Sequence, residues 1–206
     1  SALASAAPTA TTPIYPEQTT SESFTLVANV TSGDLSPSIQ NWVLTSYHTG
    51  AGTAYAVLQA DTPRFFYANG TAEEISGNRG NVLTDEGTAP DFITDGIVLS
   101  APSTASDSVA INAGTGTQNV GITRGTHISY LFGPTGQGFY ACERVPVEGQ
   151  ASAVLLFEKQ KETPEGCAEV VLLPQCGISS GASHPTSVVS GCYQDVSYID
   201  WSVYSA

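Results

Sequence analysis

Phe24-Thr25-Leu26-Val27-Ala28-Asn29-Val30, FTLVANV, decides the reading of the fold. Phe24, Leu26, Ala28 and Val30 recur at every second position, the period that puts side chains on one face of a β-strand. Similar short runs follow it: NWVLTSY from Asn41, AYAVLQA from Ala54, RFFYA from Arg64, GIVLSA from Gly96, SVAIN from Ser108, HISYLF from His127, GFYACERV from Gly138, AVLLFEK from Ala153 and AEVVLLP from Ala168. Each is rich in Val, Ile, Tyr and Phe and bounded by Gly, Pro, Asn or Asp. No stretch keeps apolar residues at helical spacing for more than two turns. The expectation is an all-β chain, an antiparallel β-sandwich or barrel of about ten short strands.

Before Phe24 the pattern stops. Residues 1–22, SALASAAPTATTPIYPEQTTSE, are mostly Ser, Thr, Ala and Pro. Such a segment buries too little apolar surface to offset the entropy of ordering it. We expect a disordered or extended leader over 1–22, with Ile14 and Tyr15 best suited to pack on the domain, and one β domain over 23–206. FGPTGQGF, Phe132 to Phe139, reads as a hairpin connection. NVLTDEGTAPDFITDG, 81–96, reads as a long acidic loop. Beyond Cys176 the chain reads as loop, with YQDVSYIDWSVY from Tyr193 as a last strand.

Composition narrows the function. Six Lys and Arg face nineteen Asp and Glu, a net charge of −13. That excludes nucleic acid as a partner, since phosphate recognition needs clustered cations, and it excludes an anionic membrane surface. No run approaches the roughly 18 apolar residues of a membrane span. Met is missing throughout, position 1 included, which leads to the expectation of a chain whose signal peptide has been removed. The tail DWSVYSA is too short and polar for an anchor-attachment signal.

The four cysteines, Cys142, Cys167, Cys176 and Cys192, read as two disulfides of a secreted chain. With AEVVLL extended, Cys167 and Cys176 lie about 20 Å or more apart, whereas bridged α-carbons lie within roughly 7 Å. Cys142 therefore pairs with Cys167 or Cys176 and Cys192 takes the other, Cys142–Cys167 with Cys176–Cys192 being preferred. Asn29-Val30-Thr31 and Asn69-Gly70-Thr71 are N-glycosylation sequons.

Candidate chemistry is sparse. His48 stands before a glycine turn in YHTGAGT, Tyr47 to Thr53. It is expected to be a structural histidine bonded to nearby backbone, and is kept as a binding candidate. His127 could meet it on a neighbouring strand, and His184, before Pro185, reads as solvated. No G-x-S-x-G elbow occurs, and no metal-ligand spacing stands out, the acids Asp85, Glu86, Asp91 and Asp95 matching no EF-hand. Glycosidase chemistry needs two carboxylates about 5 to 9.5 Å apart; Glu143, Asp195 and Asp200 are the acids of interest, read as solvated. Trp42 reads as core, Trp201 as the aromatic more apt to be exposed, and Trp201 and Tyr198 as candidates for stacking on sugar rings. No catalytic residue, metal or cofactor is assigned.

Five stretches, FTLVANV, WVLTSYHTGAGTAYAVL, FFYANGT, GFYACERVP and PEGCAEVVLLPQC, resemble small secreted proteins of filamentous fungi, some labelled IgE-binding or allergen-like. The resemblance spans 24 to about 176. It implies fungal origin, secretion, a β-rich fold and no established enzyme activity. The expected role is a secreted, non-catalytic extracellular or cell-wall-associated protein binding a polysaccharide or a host protein. The alternatives are a polysaccharide hydrolase using paired carboxylates and a structural or antigenic surface protein without a small ligand.

Overall fold

The computed structural model describes residues 15–88, 90–100, 108–178 and 182–204. The expected leader falls mostly on 1–14, outside the described residues. Among the described residues fifteen strands form: β1 (Thr19–Ser21), β2 (Phe24–Ser32), β3 (Val43–Gly50), β4 (Thr53–Gln59), β5 (Phe66–Asn69), β6 (Asn81–Glu86), β7 (Ile93–Val98), β8 (Ala110–Ala113), β9 (Gly121–Ile122), β10 (Leu131–Phe132), β11 (Phe139–Arg144), β12 (Ala153–Glu158), β13 (Ala168–Cys176), β14 (Ser187–Val188) and β15 (Ser190–Cys192). Eleven join one antiparallel sheet in the order β12-β11-β13-β2-β3-β4-β8-β7-β6-β5-β14. Pairings β12–β4 and β2–β5 return the sheet onto itself, a barrel-like closure that leaves β14 paired with β5 alone. The all-β class expected from the periodicity is the one observed.

The alternation of β2 builds the core. Phe24, Leu26 and Ala28 are each fully buried, beside Leu44, Phe66 and Leu172. A Phe or Leu so buried stabilises the fold by about 1.5–3 kcal/mol. The opposite face of β2 is covered too. Val27 packs with Leu173 of its neighbour β13 and with Tyr193, Val196 and Trp201 of the C-terminal segment. That segment is held by the disulfide Cys176–Cys192, while Cys142–Cys167 ties β11 to the start of β13. Its β15 pairs antiparallel with β1, Thr19 opposite Cys192, so the last residues of the expected leader lie extended along the C-terminal segment.

Three readings need correction. Residues 81–96 are largely the hairpin of β6 and β7, not a long loop. Two buried polar side chains there have partners from other elements: the Asn81 amide donates to the Thr115 carbonyl and Asp95 pairs with Arg64. Phe132–Phe139 does not close a hairpin, because β10 pairs with β9 and β11 with β12 and β13. Thr135 instead donates its hydroxyl to the buried Glu158 carboxylate at 2.9 Å, drawing the connection over β12. The tail after Tyr193 forms two 3-10 turns, Val196–Tyr198 and Trp201–Val203, rather than a strand. Asp195 and Asp200 each accept from the backbone N–H two residues on, and these caps divert the chain from pairing. The five-residue helix α1 (Ala72–Ser76) is set by a capping box between Thr71 and Glu74.

Candidate functional site

β2 continues past Val27 on the face that the C-terminal segment covers, but the cover ends there. Asn29 and Thr31, two and four residues on, face open space beside Val171 and Glu169 of β13, with Asn29 opposite Val171 in the register. The space is a groove of about 930 Å³, at the upper end of ligand-sized clefts. Gln40 and Asn41 form one wall, Tyr130 and Gln137 another, and Trp201 and Tyr204 of the second 3-10 turn close one end.

Neutral amides are fixed along the floor. The Gln40 amide donates to Asn29 Oδ1 at 3.1 Å and to Asn41 Oδ1 at 3.2 Å, and its carbonyl accepts from the Val30 N–H at 2.7 Å. Two carboxylates also line the groove, and both are engaged. Glu169 Oε1 lies 2.6 Å from Lys159 Nζ, and Asp200 Oδ1 accepts from the Ser202 N–H and hydroxyl.

A run of rings leads from the second core to the rim of the groove. Tyr193 and Trp201 meet edge to face at 5.0 Å, Trp201 and Tyr204 at 6.1 Å, Tyr204 and Tyr15 at 6.5 Å, and Tyr15 stacks on His127 at 3.9 Å and 4°. Gln18, three residues on, is tied to the same segment: its side chain donates to the His127 carbonyl and accepts from Ser129 Oγ, each at 2.8 Å. Burial pushes the Tyr193 phenol above its ordinary value, the Ser129 N–H it accepts partly offsetting the rise. Apolar ring faces beside fixed amides suit a ligand that is flat, uncharged and rich in hydroxyls.

The sequence candidates are scattered by the fold. Trp201, read as more apt to be exposed than Trp42, is 9% exposed and donates its indole N–H to the Val196 carbonyl at 2.9 Å; it borders the groove as part of the core. Tyr198 is 88% exposed but on the outside of the first 3-10 turn, away from the groove lining. His48 is exposed on the β3–β4 hairpin, and among the described residues its ring has no hydrogen-bond partner, contrary to the bonded histidine expected. The glycine reading of that turn holds: Gly52 has φ +68°, which its lack of a Cβ permits. Trp42, read as core, is half-buried and lines a smaller hollow of about 300 Å³ with Tyr47 and Glu143. Glu143 accepts there from Ser152 Oγ.

His184 also departs from expectation. Its Nε2 lies 2.7 Å from Asp85 Oδ2 and its ring stacks on Tyr67 at 3.7 Å. Burial, then the Asp85 charge, push the Tyr67 phenol up to about 12. Next to it, burial pushes the Asp95 carboxyl above its ordinary value, Arg64 at 3.0 Å pulls it back and Glu86 adds to the rise. Asp85 and Asp95 are thus tied to side chains of the protein itself. Among the described residues, no group of three or more His, Cys, Asp and Glu is placed to hold a metal ion.

Sequence reasoning missed Tyr130, Tyr204 and Gln40. Only the outward phase of Asn29 and Thr31 on β2 was readable, as the complement of Phe24, Leu26 and Ala28.

Comparison with known proteins places the chain. Residues 21–176 match the model of a domain of unknown function, DUF7907. The chain is 34% identical over 214 aligned residues to the antigenic protein SchS34 of Stachybotrys chartarum, across 93% of this chain and 95% of that protein. No solved structure matches. The matched domain ends at Cys176, so Trp201 and Tyr204, which close the groove, lie beyond it.

Proposed function

We propose, for a chain that belongs to the DUF7907 family of domains of unknown function, a secreted, non-catalytic role in the extracellular space or cell wall, with a carbohydrate chain bound in the groove. One observation carries the reading. The groove combines aromatic rings with amides fixed by their own hydrogen bonds, and both of its carboxylates are engaged by Lys159 and by Ser202. A glycosidase needs an acid and a base or nucleophile across the substrate; here Glu169 is paired with Lys159 and Asp200 Oδ1 caps its own 3-10 turn, which supports the binding reading. The relative's description as an antigenic protein supports an exposed extracellular setting, as do the two disulfides.

The test is incubation of the chain with insoluble chitin, β-glucan, xylan and pectin. Protein in the pellet with no sugar released supports the binding role. Released sugar would make the protein a hydrolase. Retention on none of them favours the second reading, an antigenic surface protein without a small ligand, which the relative's description supports independently.

A further inference from the structure

We propose that the groove has an occupant built into the chain: an N-linked oligosaccharide on Asn29, whose inner sugars lie along the groove, while Asn69 stays unmodified. This rests on reading the groove as a carbohydrate site.

The two sequons are alike in sequence and opposite in setting. Asn69 is caught between elements. Its Nδ2 donates to Asn81 Oδ1 at 2.9 Å, and its Oδ1 accepts from Thr186 Oγ1 at 2.5 Å. Asn81 is 8% exposed, and β14 pairs directly over Asn69. A sugar on Asn69 Nδ2 would have to displace both. Asn29 is the reverse. Its Oδ1 is fixed by the Gln40 amide, which sets the plane of the side chain. Its Nδ2 has no partner among the described residues, and the residue lines the groove. The Thr31 hydroxyl that completes the sequon is exposed, bonded only to the Glu169 carbonyl at 3.3 Å.

The modification joins Asn29 Nδ2 to the anomeric carbon of an oligosaccharide carried on a lipid diphosphate. The anomeric C–O bond breaks, the lipid diphosphate leaves with the electron pair, and the amide nitrogen gives up one proton. No electron is gained or lost. A sugar chain that starts on the groove floor is an intramolecular ligand. Its effective concentration is of the order of millimolar, so weak stacking on Tyr130 and Tyr204 suffices to keep it in place. The same sugars then shut external polysaccharide out, and the fraction of chains modified at Asn29 sets how much of the protein is free to bind.

The full chain from a glycosylating eukaryotic host, and its Thr31→Ala and Asn29→Gln variants, test this by peptide mass and by digestion with an endoglycosidase that cuts within the innermost sugar pair. Thr31→Ala keeps the Asn29–Gln40 bond and removes the sequon together with the hydroxyl on the Glu169 carbonyl, so it separates loss of the glycan from loss of the Asn29 side chain. The expected result is a glycan on Asn29, none on Asn69, and none in either variant. The folded protein should release its glycan about tenfold or more slower than the unfolded one, because access needs local opening. Glycan-free Thr31→Ala should be retained on polysaccharide more strongly than the modified chain. An unmodified Asn29, a glycan on Asn69, or equal release from folded and unfolded protein would overturn the proposal. If no form binds polysaccharide, the external-binding role fails, while resistance to the endoglycosidase still decides where the glycan lies.

Discussion

Asp85 holds two rings, His184 at 2.7 Å and Tyr67 by a hydrogen bond, and the second sets a pH dependence. The Tyr67 phenol, ordinarily at 10.0, is pushed up to about 12. Between those values the unfolded chain gives up the proton and the folded chain keeps it. Stability is therefore full below pH 10.0, falls as pH rises, and reaches its lower level near about 12. Tyr193 moves in the same direction. Tyr67 and Tyr193 should develop phenolate absorbance above the ordinary value of 10.0, and Tyr67→Phe should flatten the alkaline stability loss; titration of Tyr67 at its ordinary value would contradict this. The two aromatic candidates of the tail should separate as well. Trp201→Ala is expected to cost about 3 kcal/mol, as for other buried Trp truncations, and Tyr198→Ala less than about 0.5 kcal/mol, as a surface change. Denaturant titration of both variants checks this. Neither position was legible. Trp201 stands among polar neighbours in sequence, and only the approach of Val27, Leu173 and Tyr193 buries it. His184 reads as a loop residue because its partner lies 99 residues away.

The strands show where local pattern suffices. β2, β4, β11 and β13 were legible because each alternates or runs apolar against a buried face; the length of extended β13 disfavoured only Cys167–Cys176, and of the two pairings left open the preferred one is observed. β6 and the first half of β7 were not, because Asn81 and Asp95 are buried polar residues, satisfied by Thr115 and Arg64, which sequence spacing does not bring together. The C-terminal turns were misread because an Asp followed by Ser two positions on, at Asp195 and Asp200, outweighs the apolar alternation around it. Two predictions belong to this scale. Replacing Cys176 and Cys192 by Ser should cost about 3 kcal/mol and free the segment that covers Val27 and Leu173, so that an apolar dye binds the otherwise native protein; no dye binding would mean that β15 stays docked without its bridge. Gly96→Ala on β7 should be poorly tolerated, because its Cβ would sit 2.3 Å from the Gly116 backbone nitrogen. A loss of about 1–3 kcal/mol or more is expected for such overpacking, read as a lower thermal midpoint.

At the scale of the whole molecule, a sheet closed on itself is rigid enough to present a groove, and a net charge of −13 selects what enters it. Polyanions are repelled, so retention should favour neutral or amino polysaccharides over polygalacturonate, with the difference shrinking as salt rises. None of this selectivity was legible beyond its sign, since the groove is assembled from β2, β13, the 128–131 segment and a tail outside the matched domain. The most direct test of the central claim uses the glycan-free full chain, with Tyr130→Ala and Tyr204→Ala beside it, on the same panel of insoluble polysaccharides. The account predicts protein in the pellet, no released sugar, and retention reduced several-fold in both variants. Released sugar, or retention that both variants leave unchanged, would contradict it.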